Sequence, residues 1–91
     1  NAVGAHFSNS LSGTSYTLTY WRDGDNEVDF VVTKGMSIWA IEVKSGRSGK
    51  MSGMERFRAK YPKAKTLIVG STGIPLEKFF SEQPEAWLQQ K

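Results

Sequence analysis

The sequence predicts an α/β domain with a mixed sheet flanked by helices and the element order α-β-β-β-α-β-α. Three consecutive segments are rich in β-branched and aromatic residues and are joined by short turns, which is typical of an antiparallel meander. Segments with apolar residues at helical spacing precede and follow this meander. A short apolar segment after the second helical one indicates a strand buried on both faces, reached by a helical crossover.

The first helix is predicted over about residues 2–11. Val3, Phe7 and Leu11 are four residues apart, so they form one stripe of an amphipathic helix. Gly13 follows and can adopt the left-handed conformation that ends a helix.

The meander is predicted from alternation and from β-propensity. Its three predicted strands cover residues 16–22, 27–33 and 36–44. The turns between them are predicted at 23–26, which is rich in Asp, Asn and Gly, and at Lys34-Gly35.

The second half of the chain is predicted to hold a loop, helices and one more strand. The order is a loop over 45–50, a helix over 52–61, a strand over 66–70, a helix from Pro75 and a short helix from Pro84. Pro62 directly follows the first of these helices, and a proline cannot continue a helix.

The length of 91 residues predicts one domain covering residues 1–91. The sequence has no cysteine, which excludes disulfides and thiolate metal sites and is consistent with a cytoplasmic protein. No apolar segment is long enough to span a membrane, and the N-terminus has no signal-peptide pattern. The chain starts without Met inside a predicted helix, so we expect it to be a fragment of a longer protein.

The net charge is +3, and the basic residues are concentrated between Lys44 and Lys65. Such a block can contact a phosphate backbone, which makes DNA a candidate partner. The nucleic-acid-binding candidates are Arg47, Lys50, Arg56 and Lys60. The alternative is a solvated helix face and loop with no ligand.

Acidic residues and a lysine gather on one predicted face of the second hairpin. Side chains alternate along a strand, so Glu27, Asp29 and Val31 are predicted to share a face. The opposite face of that strand is predicted to carry Val28, Phe30 and Val32. On the next strand, Glu42 and Lys44 share a face.

The predicted two-residue turn at 34–35 sets the register of this hairpin. It places Asp29 opposite Ala40. It also places Glu27 opposite Glu42, so that Asp29 and Glu42 lie diagonally across the two strands. A turn one residue longer would break this parity.

Three carboxylates on one partly apolar face repel each other, and a hard cation would relieve that repulsion. Oxygen ligands suit Mg²⁺ or Mn²⁺. Lys44 can neutralise charge or hold a water or phosphate. The alternative is an ordinary edge hairpin whose polar face is hydrated.

Asp29 followed by Glu42-Val43-Lys44 resembles the D…(E/D)-X-K signature of the PD-(D/E)XK nuclease superfamily. The element order resembles the restriction-endonuclease-like α-β-β-β-α-β core of that superfamily. More narrowly, the segments 20–23, 27–30 and 41–46 resemble the C-terminal domain of the DUF4143 family of prokaryotic AAA-type P-loop ATPases.

This resemblance implies a catalytic site of Asp29, Glu42 and Lys44, with Asp29, Glu42 and the Val43 carbonyl as ligands of Mg²⁺ or Mn²⁺. It implies cleavage of DNA, or DNA binding by a degenerate relative, on a chain with an upstream ATPase domain and possible oligomers. Superfamily enzymes commonly add an acidic residue on the first helix, and residues 1–11 have none. The alternative is therefore a non-catalytic module for oligomerisation or partner interaction. His6, the only histidine, is predicted to be a capped or surface residue.

Overall fold

The computed structural model describes residues 2–24, 26–44, 52–70 and 73–88, with the backbone alone for Ser52. In chain order the elements are α1 (Ala2–Leu11), β1 (Thr17–Asp23), β2 (Asn26–Lys34), β3 (Ser37–Lys44), α2 (Ser52–Lys60), β4 (Lys65–Gly70), α3 (Leu76–Phe80) and α4 (Pro84–Leu88). This order confirms the predicted one, and the bounds differ from the prediction by only one or two residues.

The four strands form one sheet in the order β1-β2-β3-β4. β1 pairs antiparallel with β2, β2 pairs antiparallel with β3, and β3 pairs parallel with β4. The predicted mixed sheet is therefore confirmed. The parallel pair requires a crossover, and α2 lies within it.

Helices cover both faces of this sheet. On one face, called here the α1 face, the stripe of Val3, Phe7 and Leu11 packs with residues of α3 and α4 on Val32, Ile41 and their neighbours. On the other, the α2 face, Met54 and Phe57 of α2 pack on Val28, Val31 and Ala40. The apolar stripes seen in the sequence thus become two separate clusters divided by the sheet.

The turn between β2 and β3 is displaced by one residue from its predicted position. Lys34 pairs with Ser37, so the loop is Gly35-Met36 rather than Lys34-Gly35. Gly35 has a φ of 60°, which a glycine adopts at little cost. The predicted pairing of Asp29 with Ala40 and of Glu27 with Glu42 is therefore wrong, because Val31 pairs with Ala40. Moving the loop by one residue changes the partner of each residue by two positions. Residues predicted to share a face across β2 and β3 therefore still do so.

A β-bulge interrupts β2. Thr19 pairs with Val31 and Trp21 pairs with Val28, so Asp29 and Phe30 together lie opposite Tyr20. The bulge reverses the alternation of side chains along the strand. Val28 consequently joins the α2 face with Val31, and the predicted grouping of Val28 with Phe30 and Val32 is wrong.

Two glycines allow close approaches between elements, one near the start of β2 and one at the end of β3. A Cβ atom on Gly53 would overlap the backbone of Glu27, so α2 begins directly against β2. A Cβ atom on Gly70 would overlap the carbonyl oxygen of Lys44, so the end of β4 lies directly against the end of β3.

Candidate functional site

Asp29 lies at the bulge, where the β2–β3 pairing ends. The last paired residues are Phe30 and Ile41, so Asp29 and Glu42 are the next residues outward. The backbone N–H of Val43 donates a hydrogen bond of 2.8 Å to Asp29 Oδ2, in a partly buried position. The Asp29 carboxylate thus accepts a hydrogen bond from a backbone N–H just beyond the last β2–β3 pair, and this bond holds the side chain in place.

Glu42 is the most buried acidic group of the described residues, with 9% of its surface exposed. The pKa of Glu42 is raised from 4.5 to about 7. Burial is the largest cause, and a side-chain hydrogen bond with Asp29, the charge of Asp29 and the charge of Glu27 act in the same direction. The charge of Lys44 acts in the opposite direction and lowers it. A carboxyl group that holds its proton near neutral pH is therefore placed beside a second carboxyl group.

Lys44 follows Glu42 on the same face of β3. Ile38 and Ala40 pack in the α2 cluster, so alternation puts Glu42 and Lys44 on the α2 face. Lys44 is buried, with 8% of its surface exposed. The structure thus brings together the three predicted catalytic residues, two of them across neighbouring strands and the third along β3.

Glu27 does not join this group. Its carboxylate oxygen lies 3.3 Å from Arg22 Nε, in an exposed ion pair between paired residues of β1 and β2. In the described ranges, no group of three or more His, Cys, Asp and Glu side chains is arranged to hold a metal ion. The prediction of three clustered carboxylates is therefore wrong, because the bulge separates Glu27 from Asp29 and Arg22 provides it with a partner.

The remaining donors still fit a hard cation. Asp29 and Glu42 offer carboxyl oxygens close enough to be hydrogen-bonded to each other. Mg²⁺ is commonly held by only one or two carboxylates, with waters and substrate phosphates completing its shell. The ligand set predicted from the resemblance, which adds the carbonyl of Val43, contains only oxygen.

The predicted nucleic-acid-binding residues have different surroundings. Arg56 is exposed, and its Nε lies 3.2 Å from Asp23 Oδ2, so an acidic partner offsets part of its charge. Lys60 is exposed at the end of α2. Arg47 and Lys50 lie outside the described residues.

His6 is half-buried against α3 and the segment that follows it. Its Nε2 lies 3.1 Å from the carbonyl oxygen of Glu82, and its ring contacts Phe79 and Phe80 edge-on. These contacts agree with the predicted capped histidine and place it away from Asp29 and Glu42.

One surface feature was not predicted from the sequence. Met36 at the tip of the β2–β3 turn is 99% exposed, and it borders an apolar cleft beside Tyr61. The available signal was a large apolar residue directly after the turn glycine, a place where polar residues are usual.

Among the described residues, none of the helices has the length and apolar character needed to cross a membrane.

A protein-family model described as "Domain of unknown function (DUF4143)" matches residues 1–80, a range that includes Asp29, Glu42 and Lys44. No curated protein and no solved structure matches the chain.

Proposed function

The chain belongs to the DUF4143 family, and from the joint position of Asp29, Glu42 and Lys44 we propose that it is a PD-(D/E)XK-type domain that cleaves DNA with a divalent cation. The observation that carries this proposal is the carboxyl pair of Asp29 and Glu42, which is partly buried, hydrogen-bonded and next to a buried lysine. The order of the elements and the Glu42-Val43-Lys44 sequence, which resemble those of the superfamily, also support the proposal.

The electrostatics of the pair support a cation site. Glu42 takes up a proton near neutral pH because burial and Asp29 both disfavour its charge. A cation would favour the charged forms of both groups and would displace this proton. Asp29 and Glu42 would hold Mg²⁺ or Mn²⁺, with the Val43 carbonyl as the third protein ligand. When bound, such an ion supplies an activated water and stabilises charge on a phosphate.

Lys44 has a separate role in this proposal. Its ammonium group would donate hydrogen bonds to a phosphate oxygen or to the attacking water, and so stabilise the charge that develops during hydrolysis. On the resemblance to the family, the domain would act on the same chain as an upstream ATPase domain, which would bring DNA to it.

A second candidate is a non-catalytic interaction module of the same ATPase. The observation that favours it is the apolar surface around the fully exposed Met36, because contiguous apolar patches of this kind often mark protein interfaces. In that case the carboxyl pair would have only a structural role, as the acceptor for the N–H of Val43.

The test is the change in melting temperature caused by Mn²⁺ or Mg²⁺. An ion that binds only the folded state stabilises it by about 2.7 kcal/mol at a hundredfold excess over Kd. We expect millimolar Mn²⁺ to raise the melting temperature, and Asp29→Asn and Glu42→Gln each to abolish the rise. The asparagine oxygen can still accept from Val43, so the first variant removes charge while keeping that hydrogen bond.

Glu27→Gln is the matched control, because it removes one negative charge outside the pair and should leave the rise intact. Lys44→Ala should keep the rise and eliminate cleavage of a DNA substrate. An unchanged melting curve in millimolar Mn²⁺, in a chain extended upstream of Asn1, would exclude the metal site and leave the interaction module.

A further inference from the structure

We propose that the groove beside the C-terminal end of α2 binds an acidic segment of a partner protein that carries two bulky apolar side chains. The groove consists of two clefts that share Ile38 and Tyr61. This inference does not depend on a cation at Asp29 and Glu42.

The first cleft has a volume of about 300 Å³ and lies between the β2–β3 turn and the segment after α2. Met36, Ile38, Pro62 and Ala64 supply its apolar lining. Met36 is 99% exposed and therefore buries almost none of its side chain within the domain. Covering an exposed apolar side chain of this size removes apolar surface from water and is therefore favourable.

The second cleft has a volume of about 190 Å³ and lies across the bulged part of β1 and β2. Tyr20, which is 77% exposed, lines it together with Trp21 and Phe57. Because the two clefts meet at Ile38 and Tyr61, one segment can place an apolar side chain in each of them. This is the arrangement by which amphipathic segments bind hydrophobic grooves.

The positive charge at the rim of the groove favours binding of an acidic segment. Lys60 and Lys63 line the first cleft, and both are exposed. No acidic residue lines either cleft among the residues that the structure describes. Acidic residues flanking the apolar anchors would meet these lysines and would steer association at low salt.

The lining of the first cleft favours a peptide over a nucleic acid. A stacked base needs the free face of an aromatic ring and polar partners for its edges. The first cleft is mostly aliphatic, and the Tyr61 ring already packs against Phe57 at a centroid distance of 4.8 Å. Aliphatic walls with lysines at the rim suit a leucine or phenylalanine side chain flanked by carboxylates.

The test is selection of a displayed library of random 16-residue peptides on the 91-residue chain, in EDTA. We expect the selected peptides to share two bulky apolar residues among Asp and Glu. The affinity of a synthetic selected peptide, measured by fluorescence anisotropy, should fall at least tenfold in Met36→Glu and in the double variant Lys60→Glu, Lys63→Glu. It should also fall as salt is raised.

Lys78→Glu is the matched control, because it reverses an exposed lysine on α3, away from the groove, and should change the affinity less than twofold. A selection that yields no binder, peptides without acidic residues, or binding that survives both groove variants would overturn the proposal. So would a dT20 oligonucleotide that binds the parent chain and loses at least tenfold in both groove variants, since the groove would then belong to nucleic acid.

Discussion

Glu42 and Asp29 place two acidic side chains beside each other on a face of the sheet that is otherwise largely apolar. Without a cation, the domain limits their repulsion by keeping a proton on Glu42, whose pKa burial and Asp29 raise to about 7. In the unfolded chain the pKa of this group returns to its ordinary value of 4.5. The protonation of one residue therefore links the stability of the fold to pH.

The expected pH dependence follows from the direction of this shift. The folded state binds the Glu42 proton more tightly than the unfolded state. The contribution of this proton to the free energy of unfolding is therefore fully present below pH 4.5 and is lost as pH rises through about 7. The loss is on the order of 3 kcal/mol at most. Urea unfolding of the chain in EDTA between pH 5 and 8 should show it.

Glu42→Gln should reduce the change in the free energy of unfolding between pH 5 and 8, because glutamine does not titrate. Glu27→Gln serves as the control and should keep most of this pH dependence, because the charge of Glu27 is the smallest of the causes that raise the pKa of Glu42. If the parent's stability were constant from pH 5 to 8, Glu42 would not hold a proton in the folded state.

The elements of this fold could be predicted from the sequence because the periodic signals are local. The stripe of Val3, Phe7 and Leu11 and the β-branched runs of the meander identify their helices and strands, and the structure confirms them. The register could not be predicted, because either Lys34-Gly35 or Gly35-Met36 satisfies the preference for glycine in a tight turn.

The bulge in β2 had no sequence signal either, since Asp29 and Phe30 are both compatible with a regular strand. The bulge changed the position of one predicted site residue and not of the other three. Asp29, Glu42 and Lys44 came together as predicted, because parity between β2 and β3 survived the shift of the turn. Glu27 lies beyond the bulge and forms an ion pair with Arg22 instead of joining these three residues.

Close packing of elements gives a prediction for two glycines with positive φ. Gly70 has a φ of 120° and lies against the backbone of Lys44, whereas Gly35 has a φ of 60° and open space where a Cβ atom would lie. Gly70→Ala should destabilise the domain by more than about 3 kcal/mol, because the overlap adds to the unfavourable backbone conformation. Gly35→Ala carries only the conformational cost of about 1 kcal/mol.

Thermal or urea unfolding of the two variants measures this difference. Equal losses in both would mean that β4 does not pack as closely on the end of β3 as the structure has it. Gly70→Ala that fails to fold agrees with the prediction, provided that Gly35→Ala folds.

On the scale of the whole molecule, the excess of positive charge is not spread evenly. Two exposed ion pairs, Arg22–Glu27 and Arg56–Asp23, occupy the corner where β1 and β2 meet α2. Lys60 and Lys63 lie further along the chain, at the other end of α2. A polyanion should therefore contact the C-terminal end of α2 more strongly than its middle.

DNA binding through Lys60 and Lys63 should weaken steeply as salt is raised, and to the same extent for every DNA sequence. Lys60→Glu should lower the affinity for every DNA sequence alike and reduce the salt slope. Arg56→Glu should act in the same direction. Fluorescence anisotropy with two unrelated duplexes at several salt concentrations measures both quantities.

Asp23→Asn is the informative control, because it removes the acidic partner of Arg56 and should strengthen binding or leave it unchanged. Affinity that does not respond to salt, or no binding at low salt, would favour the interaction module over the nuclease.

Because of the bulge in β2, a deletion can remove the site without changing the fold. Removing the single codon for Asp29 would leave Val28, Phe30, Val31 and Val32 in regular alternation, each on the face that it now occupies. The hydrophobic core would survive such a deletion, and the carboxyl pair would not. A relative that lacks Asp29 through one in-frame deletion would thus keep the same architecture, and an alignment gap at this position would identify it.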